Sequence, residues 1–564
     1  MKIALAQLNY HIANFELNSG KIIDNIQKAK KEGADLVVFS ELSVTGYYPC
    51  DLLEREEFIE QAEATALKIA SVCNDIAAII GVPTINPENR GKKLYNTAWF
   101  LHDGKVEAIR NKSLLPTYDI FDEYRHFEPN REFRLIEFKG VKLAVTICED
   151  LWDEQPMPNE YTRDKLYQVS PLEELSKLRP DLVINLSASP FSYDQDNFRK
   201  NTLSRNAKKY GLPIVYVNQV GANAELIFDG GSCYVLPNGE IPVELAYFKE
   251  DFRIVDTASV QPTFIEVIPS LVVNTGNEAT SPFGRHFDIA KIYDALVLGI
   301  RDYFVKSGFK DAILGLSGGI DSAVVCAIAA EALGVEHVFG VLMPSKFSSD
   351  HSVADALDLA ENLRIRHTTI GIQDMTDTCE KALSPLFGNL PFDVTEENIQ
   401  ARSRGMILMA ISNKFGHILL NTTNKSECAM GYGTLYGDMA GGLAILADVY
   451  KTDVYRLAQY INRFSEVIPV SSIRKPPSAE LRPDQKDSDS LPEYNILDAI
   501  LFRYIELNQK PETIEAAGFD KAVIDKIVKS INRYEFKRFQ APPILRVSSK
   551  AFGFGRRMPL VAKS

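Results

Sequence analysis

The chain is expected to fold as α/β domains in tandem, and three observations carry that expectation. At 564 residues it is too long for one hydrophobic core, and the usual domain size gives about three or four packing units. Short apolar runs alternate with helical stretches along most of its length, the pattern of sheets covered by helices. Near the middle, ILGLSGGIDS at 313–322 breaks at Ser317-Gly318-Gly319 and resumes as a run of helix formers that stops at Gly334. A strand, a glycine turn and a helix N-terminus in that order gather backbone N–H groups and the positive end of a helix at one point, which suits phosphate. A Cβ in that turn would hold the ligand off the backbone. The loop is not of the Walker type, because no Gly-Lys-Ser/Thr follows at the required spacing. Nor is GYGTLYG at 431–437 a dinucleotide fingerprint, having one residue too many between its second and third glycines.

Composition narrows the class. Hydrophobic content of 45% and charge of 24% are those of an ordinary globular protein. A net charge of −13 argues against a broad nucleic-acid or anionic-membrane surface. The seven cysteines form no CxxC pair and the eight histidines show no metal-ligand spacing, so reduced thiols and a cytoplasmic location are expected. The opening MKIALAQLNY runs straight into strand-like alternation, and no apolar run reaches transmembrane length.

Taken in order, 17–31 carries Ile22, Ile23, Ile26 and Ala29 on one helical face, and ADLVVFSE reads as a buried strand with Glu41 at its end. IAAIIGV, YNTAWFL, VKLAVTIC, DLVINLS and PIVYVNQ follow as strands, several separated by helical segments. Three residues at strand ends stand out: Glu41, Lys112 after VEAIRN, and Cys148 closing KLAVTI ahead of Glu149-Asp150. Singly each has an ordinary explanation as a solvated acid, a surface lysine and a buried filler. Together they supply a thiolate to attack a carboxamide, a carboxylate to carry protons, and an ammonium to stabilise an oxyanion.

Residues 1–260 resemble the nitrilase and amidase superfamily, on the strings FSELSVTGYYP, RNKSLLP and VTICEDLW. The resemblance implies an αββα sandwich, with Glu41 as general base, Lys112 as oxyanion stabiliser, Cys148 as nucleophile and Glu123 as a supporting glutamate. For the glutaminase branch it implies glutamine binding by Tyr118 and Ser189. Where a cation often follows that serine six positions on, this chain has Gln195.

Strand signals fade after 251–256, and 261–285, rich in proline, reads as a packed linker before a domain spanning 286–564. A helix is expected from near Asp288, then the glycine loop, the strand HVFGVLMPS, the capped helix SSDHSVADALDLAENL and the strand RHTTIGI. This alternation predicts a doubly wound parallel sheet with its ligand at the carboxyl ends of the strands. EENIQARSRGMILMAISNKFG reads as a long helix and HILLNTTNKSE as a strand entering a polar turn. The stretch 471–492, with Arg474, Lys475 and Arg482, has the composition of a lid over a nucleotide site.

The Ser-Gly-Gly-x-Asp-Ser loop resembles that of the ATP pyrophosphatase group, which activates a substrate oxygen by adenylation. With NTTNKSE and AMGYGTLYGDMAGGLAILADVYKTDVY the second half resembles the NAD synthetase family, in its glutamine-dependent form. That implies a Rossmann-like sheet of the adenine nucleotide alpha-hydrolase kind, and ATP-dependent amidation of deamido-NAD(+) through an adenylate, fed by glutamine-derived ammonia along a covered passage. By position, Gly315, Leu316, Ser317, Gly318, Gly319, Ile320, Asp321, Ser322, Thr422, Lys451 and Ser478 would contact ATP. Asn398, Arg402, Glu427 and Lys537 would contact deamido-NAD(+). A lysine that reaches substrate in shorter relatives is replaced by Leu435. Asp321 and Glu427 are hard oxygen donors suited to Mg²⁺, and Lys451 is a compact charge suited to the reacting phosphate. The implied partners are small molecules (glutamine, ATP and deamido-NAD(+)), with neither nucleic acid nor membrane, and the enzyme would form a homodimer or larger assembly. The rivals are a tRNA-thiolating or other amide-forming member of the loop group, and an amidase fused to a nucleotide sensor.

Overall fold

The computed structural model describes residues 1–153, 166–259, 287–483 and 485–562. The chain divides into two compact units, Met1–Thr275 and Gly276–Ser564. The expected linker at 261–285 lies outside the described residues.

The first unit holds strands β1 (Lys2–Gln7), β2 (Leu36–Val38), β3 (Ala77–Ile85), β4 (Leu94–His102), β5 (Lys105–Asn111), β6 (Ile136–Phe138) and β7 (Val141–Ile147), followed by β8 (Leu182–Ser187), β9 (Ile214–Asn218), β10 (Val220–Asn223), β11 (Leu226–Asp229), β12 (Cys233–Val235), β13 (Val243–Glu244) and β14 (Asp251–Asp256). Two six-stranded sheets form, ordered β14-β1-β2-β3-β4-β5 and β13-β12-β9-β8-β7-β6, with β10 and β11 as a separate hairpin. The centre of each sheet is parallel and its edges antiparallel.

Alternation along the strands explains the layering. Ile3, Leu5, Val38, Ile79 and Phe100 of the first sheet share one buried cluster with Leu143, Val145, Ile184, Leu186 and Val217 of the second, so these faces meet. Ala4, Ala6 and Val37 point the other way, onto Ile22 and Ile26 of α1 (Phe15–Lys31) and Ile59 and Ala62 of α2 (Glu56–Ala70). Ala144, Val183 and Ile214 likewise pack on α3 (Pro171–Ser176) and α4 (Gln195–Tyr210). The unit is an αββα sandwich.

One expected boundary is corrected. β2 ends at Val38, not at Glu41. The chain turns away through Leu42, whose φ of +46° is left-handed. This turn runs so close over β3 that a Cβ on Gly81 would lie 2.1 Å from the Leu42 nitrogen. Glu41 therefore belongs to a tight turn, which brings it to Asn96, Lys112 and the Ala188 amide.

The second unit begins with α5 (Ile289–Ser307), capped by Asp288, and β15 (Ala312–Gly315), α6 (Ile320–Leu333), β16 (Val338–Leu342), α7 (Asp350–Leu363), β17 (Arg366–Thr369), α8 (Gln373–Phe387) and α9 (Val394–Phe415) follow. Then come β18 (Ile418–Asn421), α10 (Lys425–Met430), β19 (Leu443–Ala444) and α11 (Lys451–Ile461). All five strands are parallel, in the order β17-β16-β15-β18-β19. That is a doubly wound, Rossmann-like sheet. Its order reverses between β15 and β18, the place where such sheets take ligands.

Candidate active sites

In the first unit, Glu41, Lys112, Glu123 and Cys148 come together from four separate segments. Lys112 follows β5 directly, and its ammonium donates to Glu41 Oε1 at 2.7 Å and to Glu123 Oε1 at 2.8 Å. All three side chains are at most 1% exposed. Asn96 donates to Glu41 Oε1 at 2.7 Å and the Ala188 amide to Glu41 Oε2 at 3.1 Å, while the Tyr47 hydroxyl donates to Glu123 at 2.7 Å. Burial opposes the Lys112 charge, but Glu123 and Glu41 outweigh it and hold the ammonium well above its usual range. Glu123 is pushed up to about 7 by burial and by the neighbouring Glu41 charge, against the pull of Lys112. The cation is thus locked on and its orientation fixed.

Cys148 opens a short turn at the end of β7 with a left-handed φ of +41°, a strained conformation of order 1–3 kcal/mol for a residue with a Cβ. Asp150 holds that turn. Its Oδ2 accepts from the Ile147 amide at 3.0 Å and its Oδ1 from the Ser113 and Leu114 amides, each at 2.9 Å. One carboxylate therefore ties the cysteine turn to the segment after Lys112. Burial, with Glu41 alongside, pushes the Cys148 thiol well above its usual range, against Lys112. A thiol kept neutral at rest needs a base in order to attack, and Glu41 is the carboxylate at hand.

Beside Cys148, Glu149 is 4% exposed and accepts from the Tyr118 hydroxyl at 2.8 Å and the Tyr167 hydroxyl at 2.9 Å. Burial raises its carboxyl, and Lys112 opposes the rise. Ser189 follows Ala188, the residue on Glu41, and is pinned through its backbone to the Asn218 side chain at 2.9 and 3.2 Å. Gln195 starts α4. Sequence reasoning missed Tyr47, Asn96, Glu149, Asp150 and Tyr167 as members of this cluster. Glu149 and Asp150 adjoin the cysteine and were open to notice, whereas the others are brought in by tertiary structure.

In the second unit the glycine loop joins β15 to α6. Gly318 has φ +76°, and a Cβ there would lie 2.1 Å from the Ser352 carbonyl oxygen. The Ser317 hydroxyl accepts from the Gly319 amide at 3.2 Å, and Ser322 donates to the Gly319 carbonyl at 3.0 Å. Gly319 lends no side chain to cap α6, so amides at the helix start face the loop. Across the switch point, Asn424 donates to Asp321 Oδ1 at 2.9 Å, and Lys451 at the start of α11 donates to Asp321 Oδ2. Glu427, on α10, lies 3.8 Å from the Lys451 ammonium and closes a capping box with Asn424. Burial and the neighbouring Asp321 charge hold Glu427 well above the carboxylate range, against Lys451. Burial opposes the charge on Lys451, which Asp321 and Glu427 nevertheless hold above its ordinary value. Thr422 is half-buried immediately after β18.

Described residues of 471–492 reach the loop and its neighbourhood within this unit. Ser472 donates to the Gly318 carbonyl at 3.0 Å, and Glu480 accepts from Ser349 at 2.8 Å and Ser352 at 2.7 Å. Ser478 is exposed, and its hydroxyl bonds to Gln485 and Glu480 of its own segment. Asp487, another buried group that sequence reasoning missed, accepts from Tyr494 at 2.8 Å and Tyr432 at 3.3 Å. Asn398 and Arg402, four apart on α9, and Lys537 converge on the 431–437 loop. Asn398 accepts from Thr434 at 2.6 Å, Arg402 donates to the Leu435 carbonyl at 3.2 Å, and Lys537 donates to the Gly431 and Gly433 carbonyls at 2.8 and 2.6 Å.

Two family models match the chain: carbon-nitrogen hydrolase over residues 2–264 and NAD synthase over residues 292–541. It is 46% identical over 565 residues to the glutamine-dependent NAD(+) synthetase of a Synechocystis species, and 42% identical over 562 residues to that of Acinetobacter baylyi. Each comparison covers 99% of this chain and 98% of the relative. Among solved structures, the glutamine-dependent NAD+ synthetase of Acinetobacter baumannii in complex with ADP matches with a TM-score of 0.75 and 40% identity, covering 99% of this chain and 98% of that one. The enzyme of that type from Cytophaga hutchinsonii superposes with a TM-score of 0.81 at 20% identity, covering 100% of this chain and 98% of the other, a likeness of fold.

Proposed function

The chain belongs to the family of glutamine-dependent NAD(+) synthetases, and we propose that its two units divide the reaction between the two side-chain clusters described above. The activity is ATP-dependent amidation of deamido-NAD(+) to NAD(+), with glutamine as nitrogen donor and AMP, diphosphate and glutamate as the other products. In the first unit, Cys148 attacks the side-chain amide of glutamine while Glu41 takes the thiol proton and passes it to the departing ammonia. Lys112, held in charge and position by Glu123, stabilises the oxyanion, and water then hydrolyses the glutamyl thioester with Glu41 as base. Glu149, braced by Tyr118 and Tyr167, offers a buried negative charge to the α-ammonium of glutamine, with Ser189 beside it.

In the second unit, the amides around Ser317–Gly319 and the start of α6 hold ATP phosphates. The nicotinate carboxylate attacks the α-phosphorus, diphosphate departs, and Lys451 offsets the charge that develops. Ammonia then displaces AMP, a far better leaving group than oxide. Asn398, Arg402 and Lys537 shape the 431–437 loop for the deamido-NAD(+) side, and Thr422 and Ser478 belong to the ATP side. Asp321 and Glu427 fit Mg²⁺: they are two hard oxygen donors whose mutual repulsion a divalent cation relieves, and triphosphate and water complete such a site. When bound, the ion neutralises the triphosphate. The proposal includes a cytoplasmic homo-oligomer and a covered route for ammonia. Among the described residues no helix is long and apolar enough to cross a membrane.

The observation that carries this reading is the Lys112 ammonium shared by two buried carboxylates beside a buried thiol, within a chain that also carries the loop at the switch point. Protein incubated with glutamine, ATP, Mg²⁺ and deamido-NAD(+) is expected to form NAD(+) and AMP. Cys148→Ala abolishes synthesis from glutamine and keeps synthesis from ammonium. Equal loss of both would refute the division of labour.

A further inference from the structure

A second cluster of metal-ligating side chains lies outside both sites, at Asp51, Glu54 and His126. Cys50–Glu54 is a 3-10 turn of three residues per turn, so Asp51 and Glu54 project on the same side. Facing them, the His126 side chain is only 6% exposed, and its Nε2 lies 3.5 Å from Asp51 Oδ1 and 3.5 Å from Glu54 Oε1, with no hydrogen-bond partner. The other ring nitrogen is engaged, with Nδ1 2.7 Å from the Tyr48 hydroxyl. The same hydroxyl also lies 3.4 Å from the Asp122 carbonyl oxygen. In the tautomer that donates from Nδ1–H to this hydroxyl, Nε2 presents its lone pair to Asp51 and Glu54. The three ligand atoms all lie within 4.8 Å of one another, a spacing that a single cation can bridge.

We propose that Asp51, Glu54 and His126 bind a divalent first-row transition ion of the zinc class. Metal–ligand distances of about 2.0–2.1 Å in a tetrahedron set ligand atoms about 3.4 Å apart, and both separations from Nε2 match that edge. An octahedral Mg²⁺ would bring them to about 2.9 Å and prefers an all-oxygen shell, whereas imidazole suits zinc, nickel and copper. The Nδ1–Tyr48 contact at 2.7 Å is of the kind that orients metal-bound histidines. Arg125 is the resident competitor, with its guanidinium 3.2 Å from Asp51 and 3.4 Å from Glu54, and its half-exposed side chain is free to swing to solvent. Water fills the fourth position. The ion would clip the Cys50–Glu54 turn to the Glu123–Arg125 turn, which also carries the glutamate that holds Lys112.

The test is titration of the metal-stripped full chain with Co²⁺, read by visible d–d absorption, and then with Zn²⁺ by calorimetry. Wild type is expected to show a cobalt band that Zn²⁺ displaces. His126→Gln and the double variant Asp51→Asn/Glu54→Gln should each lose the band and weaken Zn²⁺ binding at least tenfold, while Arg125→Ala strengthens it several-fold. The double variant changes only exposed side chains, so it carries the test if His126→Gln fails to fold. A wild type without a cobalt band at millimolar Co²⁺, or a double variant with undiminished Zn²⁺ binding, overturns the proposal.

Discussion

Lys112→Met keeps nearly the length of the side chain and removes its charge. Glu41 and Glu123 then face one another in the interior without the ammonium that lies 2.7 and 2.8 Å from them. Deleting one partner of a buried ion pair costs about 3–5 kcal/mol. Glu123, already pushed up to about 7 with Lys112 present, absorbs part of this by taking a proton. The assay is built into the chain: its two tryptophans, Trp99 and Trp152, are both buried in the first unit, so indole fluorescence reports unfolding of that unit within the full protein. With a urea slope of about 3 kcal/mol per molar, the midpoint should fall by about 1–2 M. Adding Glu123→Gln removes the surplus carboxylate and should return about 1 kcal/mol, since neighbours in one network couple by that order. Synthesis from glutamine should fall at least about 10²–10³-fold with the oxyanion donor gone, while synthesis from ammonium persists. An unmoved midpoint, or costs for the two substitutions that simply add, would refute the argument that Lys112 bridges the two carboxyl groups.

Three further outcomes are expected. Gly318→Ala forces a Cβ onto a φ of +76° and to 2.1 Å from a backbone oxygen that cannot swing aside; AMP formation should be lost with either nitrogen source, while glutaminase activity, read as glutamate release, survives. Glu149→Gln keeps the shape and both tyrosine partners but removes the charge, so KM for glutamine should rise about 10–100-fold with little change in ammonium-dependent rate. Glu123 titrates at about 7 in the fold against an ordinary 4.5, so between those values the folded chain binds more protons than the unfolded one. Its contribution to first-unit stability therefore declines as pH rises from about 4.5 to about 7 and levels beyond, and Glu123→Gln should flatten that part of the tryptophan-monitored profile.

Local chemistry made much of the second unit legible in the sequence. Asp288 and Ser349 cap helices where their side chains predict, and Gly416 and Gly334 stop helices where a missing Cβ is an advantage. The strand-like alternation at the start was legible, and Ile3 and Leu5 face one buried cluster while Ala4 and Ala6 face another; the sandwich itself was expected only from the resemblance. What stayed hidden depends on contacts distant along the chain. Nothing near residue 251 announces that β14 pairs antiparallel with β1, and nothing near Tyr47 or Asn96 announces the carboxylates they serve. Glu41 was placed on a strand because the apolar run at 36–39 leads almost directly to it. The close approach over Gly81, which pulls it into a turn, is a property of the neighbouring strand.

The two clusters use one electrostatic device in two states of readiness. Each sets a lysine between two carboxylates, Lys112 between Glu41 and Glu123 and Lys451 between Asp321 and Glu427. In the first, the contacts are nearly equal and the acids are at most 1% exposed, so every member is fixed before substrate arrives. Fixed donors suit an oxyanion that forms at one atom of a small amide, because no reorganisation is needed as the charge develops. In the second, Lys451 sits on Asp321 and stands 3.8 Å from Glu427, and these acids retain 18% and 17% exposure. Burial alone does not hold that arrangement. On the proposed function, a phosphate bound at the Ser317–Gly319 amides would compete with Asp321 for the ammonium, and Asp321 and Glu427 would then be open to hold a divalent ion. Under that proposal the asymmetry would tie cation binding to nucleotide binding, as suits a site that admits ATP and then releases diphosphate and AMP.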